Sequence, residues 1–309
     1  MPELPEVETI RRTLAPRLVG RTIERVEVRT PKFIVGATPE AFRRAVEGAA
    51  IASVGRRGKY LGIGLGDAAT PAIPGDIVIH LKMAGQLVWC LPETDLGPTR
   101  TKHTHVVFHL DDGHELRFLD LRHFGRVYFP SGDPDDPVLR RALATMANLG
   151  PEPLGRDSEA PTLDYETFRA KLARRGARVK PLLLDQAFLA GLGNIYADES
   201  LFRARIHPLR RASTITDDEA RALFEAINAI IAEAVGLRGT SIRDYVDGEG
   251  QRGEFGQRLQ VYGRKGEACP RCGAPIERLV IGGRSAHFCP ECQSPTPEQT
   301  FDRNPSYLV

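Results

Sequence analysis

The chain has 309 residues, of which 41% are hydrophobic and 27% charged. That is the make-up of a globular protein long enough for two domains and a small third module. It contains no run of 18 apolar residues, which excludes a helical membrane span from the sequence reading. A net charge of +2 is too small to hold a polyanion by itself. A nucleic-acid partner would have to be gripped by local clusters such as Arg56-Arg57-Gly58-Lys59, Arg174-Arg175 with Arg178 and Lys180, Arg210-Arg211, or Arg264-Lys265, each of which also reads as an ordinary solvated face.

Pro2-Glu3 heads the first predicted helix. If an aminopeptidase removes Met1, Pro2 presents a secondary amine found nowhere else in a protein. An α-amino group titrates at roughly 7.7–8, so a useful fraction is neutral and nucleophilic near neutral pH. Proline at a first helical position followed by acids is equally a plain helix start, and these residues alone leave both readings open. Val7, Ile10, Leu14 and Leu18 form one face of that helix, which Gly20 ends. β character follows: Ile23, Val26 and Val28 in one strand, Leu61, Ile63 and Leu65 alternating in another, and Ile77 to Met83 in a third. Asp111-Asp112-Gly113 is a hairpin turn between Val106–Leu110 and Leu116–Phe118. The Pro/Asp-rich stretch from Gly132 to Pro137 reads as a loop. Helical periods then appear at Leu163–Arg175, Leu182–Leu189 and Asn194–Arg205, and Thr216-Asp217-Asp218-Glu219 is a capping box before a long helix. Residues 245–258 are polar and Gly-rich and are expected to form a mobile loop. The tail from Ser294 to Val309 holds three prolines and is expected to be loosely ordered.

Cys269-Pro-Arg-Cys272 and Cys289-Pro-Glu-Cys292 are two C-x-x-C knuckles separated by sixteen residues. That spacing suits one structural Zn²⁺ held by four thiolates on either side of a β-hairpin. A four-sulfur site has no open coordination position, so this metal is expected to fold the module and not to catalyse. A redox role for the pairs is the competing reading. Cys90 is left over as an apolar filler. The N-terminal residues lack the charged start and apolar run of a secretory signal. With five cysteines, this points to a reducing, cytoplasmic compartment.

Several stretches, in order along the chain, resemble the bacterial formamidopyrimidine-DNA glycosylases: Met1-Pro-Glu-Leu-Pro-Glu-Val-Glu-Thr9, Arg57-Gly-Lys-Tyr60, His80-Leu-Lys-Met83, Asp120-Leu-Arg-His-Phe-Gly125, Gly191-Leu-Gly-Asn-Ile-Tyr-Ala-Asp-Glu-Ser200 running on to Ile206-His207-Pro208, and Val261-Tyr-Gly-Arg-Lys-Gly266 before the cysteines. The resemblance spans residues 1 to about 293. It implies an α+β fold with an N-terminal β-sandwich catalytic domain behind a leading helix (1–131) and a linker (132–150). A helix–two-turns–helix DNA-binding domain with a lesion-capping loop (151–258), a β-hairpin zinc finger (259–293) and the tail (294–309) follow, with DNA in the cleft between the domains.

The resemblance also implies roles. Pro2 becomes the nucleophile and Schiff-base former, Glu3 the general acid/base beside it with Glu6 in support, Lys59 the β-elimination lysine, and Arg284 the finger arginine that grips phosphate and assists δ-elimination. Met83, Arg122 and Phe124 fill the void left by a flipped base, with Arg122 suited to an orphaned cytosine. Met83 also shares a strand face with Ile77, Ile79 and Leu81, a pattern that by itself reads as core. His103, Arg175, Lys180 and Asn194 line the DNA, Asn194 doubling as a helix cap, and Glu199 reaches toward the lesion pocket. The implied partner is damaged double-stranded DNA, bound by a monomer in the bacterial cytoplasm or on the nucleoid, with no membrane. The implied activity is excision of oxidised purines followed by strand cleavage. Two positions depart from the family pattern: Thr104 stands where an acid is usual between two histidines, and Glu254 where an aromatic is expected. The competing readings are an endonuclease VIII-like enzyme for oxidised pyrimidines, against which Leu4 and the 245–258 loop argue; a catalytically silent zinc-finger DNA binder, against which Pro2, Glu3 and Lys59 together argue; and a zinc hydrolase, which the closed sulfur site disfavours.

Overall fold

The computed structural model describes residues 2–66, 76–153 and 162–294, so the expectation for residues 295–309 lies outside the described residues. The chain forms two compact units. One comprises Met1–Asn148 with Val235–Gly256, and the other Leu149–Ala234 with Gln257–Val309.

In the first unit, helix α1 (Leu4–Leu18) precedes strands β1 (Ile23–Val28) and β2 (Ile34–Val35), helix α2 (Pro39–Val46), and strands β3 (Ile51–Arg57), β4 (Tyr60–Leu65), β5 (Ile77–His80) and β6 (Gly85–Cys90). The short helix α3 (Pro98–Lys102), strands β7 (Thr104–Leu110), β8 (Glu115–Asp120) and β9 (Arg126–Tyr128), and helix α4 (Pro137–Ala147) complete it. The strands make two sheets, one ordered β1-β7-β8-β6 and the other β2-β9-β5-β4-β3. Val26, Val106, Phe108, Phe118 and Leu87 from the first sheet meet Val54, Leu61, Ile63, Ile77, Ile79 and Val127 from the second in one apolar core. The apolar face of α1, with Val7, Ile10, Leu14 and Leu18, joins the same core. A sandwich with a leading helix is therefore the observed architecture. The Asp111-Asp112-Gly113 turn forms as read, with Gly113 at φ 81° and its N–H on the Leu110 carbonyl at 3.0 Å.

Three features differ from the sequence reading. First, β5 stops at His80 and does not run on to Met83. Gly85 N donates to the Leu81 carbonyl at 2.9 Å, and a Cβ at Gly85 would sit 2.5 Å from that oxygen. The chain thus turns tightly over Leu81–Ala84 and lifts Met83 off the strand face. Second, the segment read as a linker contains α4. The Asp136 side chain accepts from Val138 and Leu139 N–H and Pro137 occupies the first turn, a helix start visible only in retrospect. Helix α2 begins the same way at Thr38-Pro39. Third, residues 245–256 belong to the first unit and are well anchored. Asp247 is fully buried, accepts the Glu249 and Gln251 amides, and pairs with Arg238.

The second unit holds α5 (Tyr165–Ala173), α6 (Val179–Leu184), α7 (Asn194–Arg203), most of α8 (Asp217–Gly236), and the hairpin β10 (Glu277–Ile281) and β11 (Arg284–Phe288). Phe168 packs with Phe188 and Phe224 at ring separations of 6.0 and 5.8 Å. The capping box forms, with Thr216 N on Glu219 Oε2 at 2.8 Å and Glu219 N on Thr216 Oγ1 at 3.3 Å. The helix expected at Leu182–Leu189 lies upstream and ends at Leu184. Asp185 Oδ1 takes the Ala187 N–H, and the Gln186 side chain bonds the carbonyls of Leu184 and Leu192 and the Gly191 amide, which stabilises turns in place of helix.

Candidate functional site

Strand register gathers one group of candidate residues. Tyr60 pairs with His80 and His80 with Arg126 in the five-stranded sheet. Lys59 immediately precedes Tyr60, the 81–84 turn follows His80, and the 121–125 turn precedes Arg126, so all three stand at one end of that sheet. Asp120 pairs with Gly85 in the other sheet, so both turns cross from sheet to sheet side by side. The turns carry Met83, 37% exposed, and Phe124, 52% exposed. Such exposure is unusual for large apolar side chains, and it removes the core reading of Met83. The exposed Arg122 guanidinium lies 5.3 Å from the Phe124 ring centroid. Asp120 shapes the second turn, its Oδ1 accepting the Arg122 N–H at 2.9 Å and its Oδ2 the Gly125 N–H at 2.6 Å. His103 immediately precedes the neighbouring strand β7, and its carbonyl accepts the Asp120 N–H at 3.0 Å. Burial, then the nearby cations Lys82 and Lys59, hold His80 well below its ordinary pKa.

Pro2 and Glu3 sit buried at the head of α1. Glu6 fixes them. Its Oε2 accepts the Glu3 N–H at 2.7 Å, its Oε1 accepts the Thr240 N–H at 2.8 Å, and its backbone carbonyl accepts the Tyr245 hydroxyl at 3.2 Å. A Cβ at Gly239 would lie 2.8 Å from Glu6 Oε1, so glycine there lets the backbone close on the carboxylate. Two residues on, Glu8 bonds Arg56 at 3.0 Å, with side-chain exposures of 4% and 1%, and Arg56 also donates to the Gly58 carbonyl at 3.0 Å. This chain of contacts ties α1 to the turn bearing Lys59. Burial alone would raise the Glu8 pKa, but the guanidinium groups of Arg11, Arg56 and Arg12 prevail and lower it to about 2.

A lowered folded-state pKa means that the stabilisation is present above the ordinary value of 4.5 and is lost as pH falls through about 2. Glu8→Ala is expected to cost about 3–5 kcal/mol because it strands the buried Arg56 charge. Urea denaturation at pH 7 checks this. The gap between variant and parent should narrow on acidification toward pH 2, and a gap that does not change with pH would contradict the assignment.

In the second unit the structure revises three residues. Lys180 was expected to touch DNA, but it is fully buried, with its Nζ on Asp198 Oδ1 and the Ser285 carbonyl. Asp198 Oδ2 also accepts the His287 N–H at 2.9 Å. Lys180 therefore joins α6 and α7 to β11 from inside, because a buried ammonium requires an anionic partner. Glu199 was expected to reach a lesion pocket, but its carboxylate accepts the backbone N–H groups of Gln260, Val261 and Tyr262 at 2.8–3.0 Å and so shapes the approach to the finger. Asn194 is the first residue of α7 and not its cap. Gly193 occupies the cap position, and Asn194 Oδ1 is buried with no partner. Arg175 and Arg284 are exposed, Arg284 directly after the Gly282-Gly283 turn, where both glycines have positive φ.

The four cysteines of the knuckles converge, with all sulfurs within 4.8 Å of one another, Cys272 to Cys289 at 3.4 Å and Cys269 to Cys292 at 3.9 Å. Tetrahedral Zn–S bonds of about 2.3 Å place sulfurs about 3.8 Å apart, so the cluster fits one zinc ion. The Arg271 and Cys292 N–H groups each lie 3.4 Å from a ligating sulfur, Cys269 Sγ and Cys289 Sγ respectively. Phe202, Val261, Ile276, Cys269 and Cys289 form a small core around it. Cys90 is buried, as expected.

The residues that sequence reasoning missed are the holders: Glu8 with Arg56, Thr240 beneath Glu6, and Asp120 beneath the 121–125 turn. Only the Asp120-x-x-x-x-Gly125 spacing offered a local signal for the last.

Comparison with known proteins gives concordant results. The formamidopyrimidine-DNA glycosylase N-terminal domain model matches residues 1–127, the formamidopyrimidine-DNA glycosylase H2TH domain residues 149–246, and the zinc finger found in FPG and IleRS residues 266–295. The formamidopyrimidine-DNA glycosylase of Heliobacterium modesticaldum is 49% identical over 90% of this chain and 94% of its own length. That of Symbiobacterium thermophilum is 48% identical over 90% and 84%. Among solved structures, a Lactococcus lactis FPG mutant in complex with Fapy-dG-containing DNA superposes with a TM-score of 0.80 at 36% identity, covering 95% of this chain and 100% of that one. The Lactococcus lactis Fpg complex with abasic-site DNA gives a TM-score of 0.79 at 36% identity over the same shares. The chain belongs to the formamidopyrimidine-DNA glycosylase family.

Proposed function

We propose that the chain is a base-excision DNA glycosylase with AP-lyase activity, removing oxidised purines from duplex DNA and cutting the strand by β,δ-elimination. Once Met1 is removed, the freed Pro2 nitrogen attacks the sugar carbon as the glycosidic bond breaks and the base leaves, the sugar ring opens to give the Schiff base, and Glu3 moves protons beside it. Lys59 and Arg284 serve elimination and phosphate, Arg122 faces the orphaned base, and His103, Arg175 and Asn194 line the DNA. The observation that carries the reading is the sheet-end register, which sets Lys59, Met83, Arg122 and Phe124 side by side while Glu6 and Glu8 fasten the helix headed by Pro2. The DNA held by the Lactococcus lactis relatives, carrying Fapy-dG or an abasic site, supports the same substrate class. Lys180 and Glu199 hold the unit that presents Arg284 and do not touch the substrate. The protein is proposed to act as a cytoplasmic monomer. No helix among the described residues is long and apolar enough to cross a membrane.

Borohydride reduction during reaction with a duplex containing one 8-oxoguanine tests the reading. A covalent protein–DNA adduct is expected, and binding without any adduct would support the silent-binder alternative. The paired turns add a second expectation. Met83→Ala with Phe124→Ala should leave stability within about 0.5 kcal/mol because both side chains are exposed. It should slow excision from duplex DNA roughly 10–100-fold, since unstacking a base costs a few kcal/mol that the wedges repay. Removing the base opposite the lesion lowers that cost, so single-turnover rates on such a duplex should fall less.

A further inference from the structure

The sheet end that carries the 121–125 turn also holds a histidine cluster of which the proposed function uses only His103, at the DNA. His103, His105 and His123 each place one ring nitrogen within 4.8 Å of the other two. His103 Nδ1 and His123 Nε2 are 3.3 Å apart. Two imidazoles on one tetrahedral ion, each at about 2.0–2.1 Å, would stand about 3.3–3.4 Å apart, so this pair already has ligand spacing.

The third ring is prepared by its surroundings. His105 is 2% exposed and lies flat on Phe33, with ring centroids 4.0 Å apart. Its Nε2 lies 3.0 Å from the Asp120 carbonyl. A carbonyl only accepts, so Nε2 carries the proton and Nδ1 carries the lone pair. A ring N–H held by a backbone carbonyl is the usual support of a metal-ligating histidine. Nδ1 accepts from the Thr30 hydroxyl at 3.0 Å, and a metal takes that place only when the Thr30 side chain changes its χ1 rotamer. His123 is brought over the other two by left-handed backbone at φ 60°, a conformation that costs energy for a non-glycine residue.

We propose that His103, His105 and His123 form a second metal site, distinct from the four-cysteine finger, for a divalent transition ion that favours imidazole, such as Zn²⁺ or Ni²⁺. No carboxylate belongs to the cluster, so Mg²⁺ and Ca²⁺ are not its ions. Partial exposure of His103 and His123 leaves an outer position for water. An ion bound there ties the 121–125 turn, with Arg122 and Phe124, to His105 near the start of β7 and to His103 just before it.

Equilibrium dialysis of the full chain, its finger already zinc-loaded, against micromolar Zn²⁺ tests the site. Two equivalents per chain are expected for the parent and one for His123→Gln, with finger zinc, and the melting temperature measured without added zinc, unchanged in the variant. Nitrogen-15 spectra of the imidazoles should show His103, His105 and His123 shifting together as the second equivalent enters, while the other histidines stay in place. One equivalent in the parent, or a second equivalent that survives in His123→Gln, would overturn the proposal. Neither result bears on base excision, which is measured separately.

Discussion

Adding one residue ahead of Pro2 is expected to abolish the borohydride-trapped adduct and to slow excision on the order of 10⁴-fold or more, the scale of losing a nucleophile. The chemistry is simple. A prolyl nitrogen inside a peptide bond is an amide whose lone pair is delocalised, and it cannot add to a sugar carbon. The extension leaves Glu6, Thr240 and the Glu8–Arg56 pair in place, so duplex affinity should stay within about threefold, given that phosphate contacts supply most of it. Trapping gels, single-turnover kinetics and a binding titration on the same preparation separate the effects. An extended chain that still forms the adduct would remove Pro2 from the mechanism, while one that loses binding as well would show that the extension had disturbed the fold.

Removal of the finger metal should have the next largest effect. Binding of structural zinc contributes about 10–16 kcal/mol in isolated fingers, far more than the few apolar side chains here can replace. Phe202 of α7 shares the core with Cys269 and Cys289, so loss of the ion should loosen the end of α7 together with the hairpin. Arg284 then has no fixed position, and affinity for damaged duplex should fall about 100-fold, corresponding to about 3 kcal/mol. A strong chelator should release the finger zinc with loss of binding, and added zinc should restore it. Cys289→Ala should reproduce the loss without rescue. Chelated protein that still binds normally would make the finger dispensable.

The sequence was most informative where chemistry is local. Two C-x-x-C knuckles, the Thr216 capping box, the Asp-Asp-Gly hairpin and the apolar stripe of α1 each declare themselves within a few residues, and each appears as read. The roles assigned to Pro2, Glu3, Lys59 and Arg284 rested on resemblance, since a proline at a helix start or a lysine at a strand end is unremarkable by itself. Long-range contacts were not legible. Lys180 reads as surface charge until Asp198 and the Ser285 carbonyl are found around it, and Glu199 reads as a free acid until three amides from residues 260–262 converge on it. The strand leading to Met83 was extended too far for a related reason: a two-residue period continues on paper past His80, while the Leu81–Ala84 turn ends the strand in space.

The clamp on Glu6 bears on how the molecule comes into being. Its second partner, the Thr240 amide, is 234 residues away in the chain. The head of α1 is made well before residue 240, so the second half of the Glu6 clamp can close only after the return segment has been synthesised. A fragment that ended before this return segment would hold the start of α1 without the Thr240 anchor on Glu6, so the local geometry at the head of the helix depends on a contact made late in the chain.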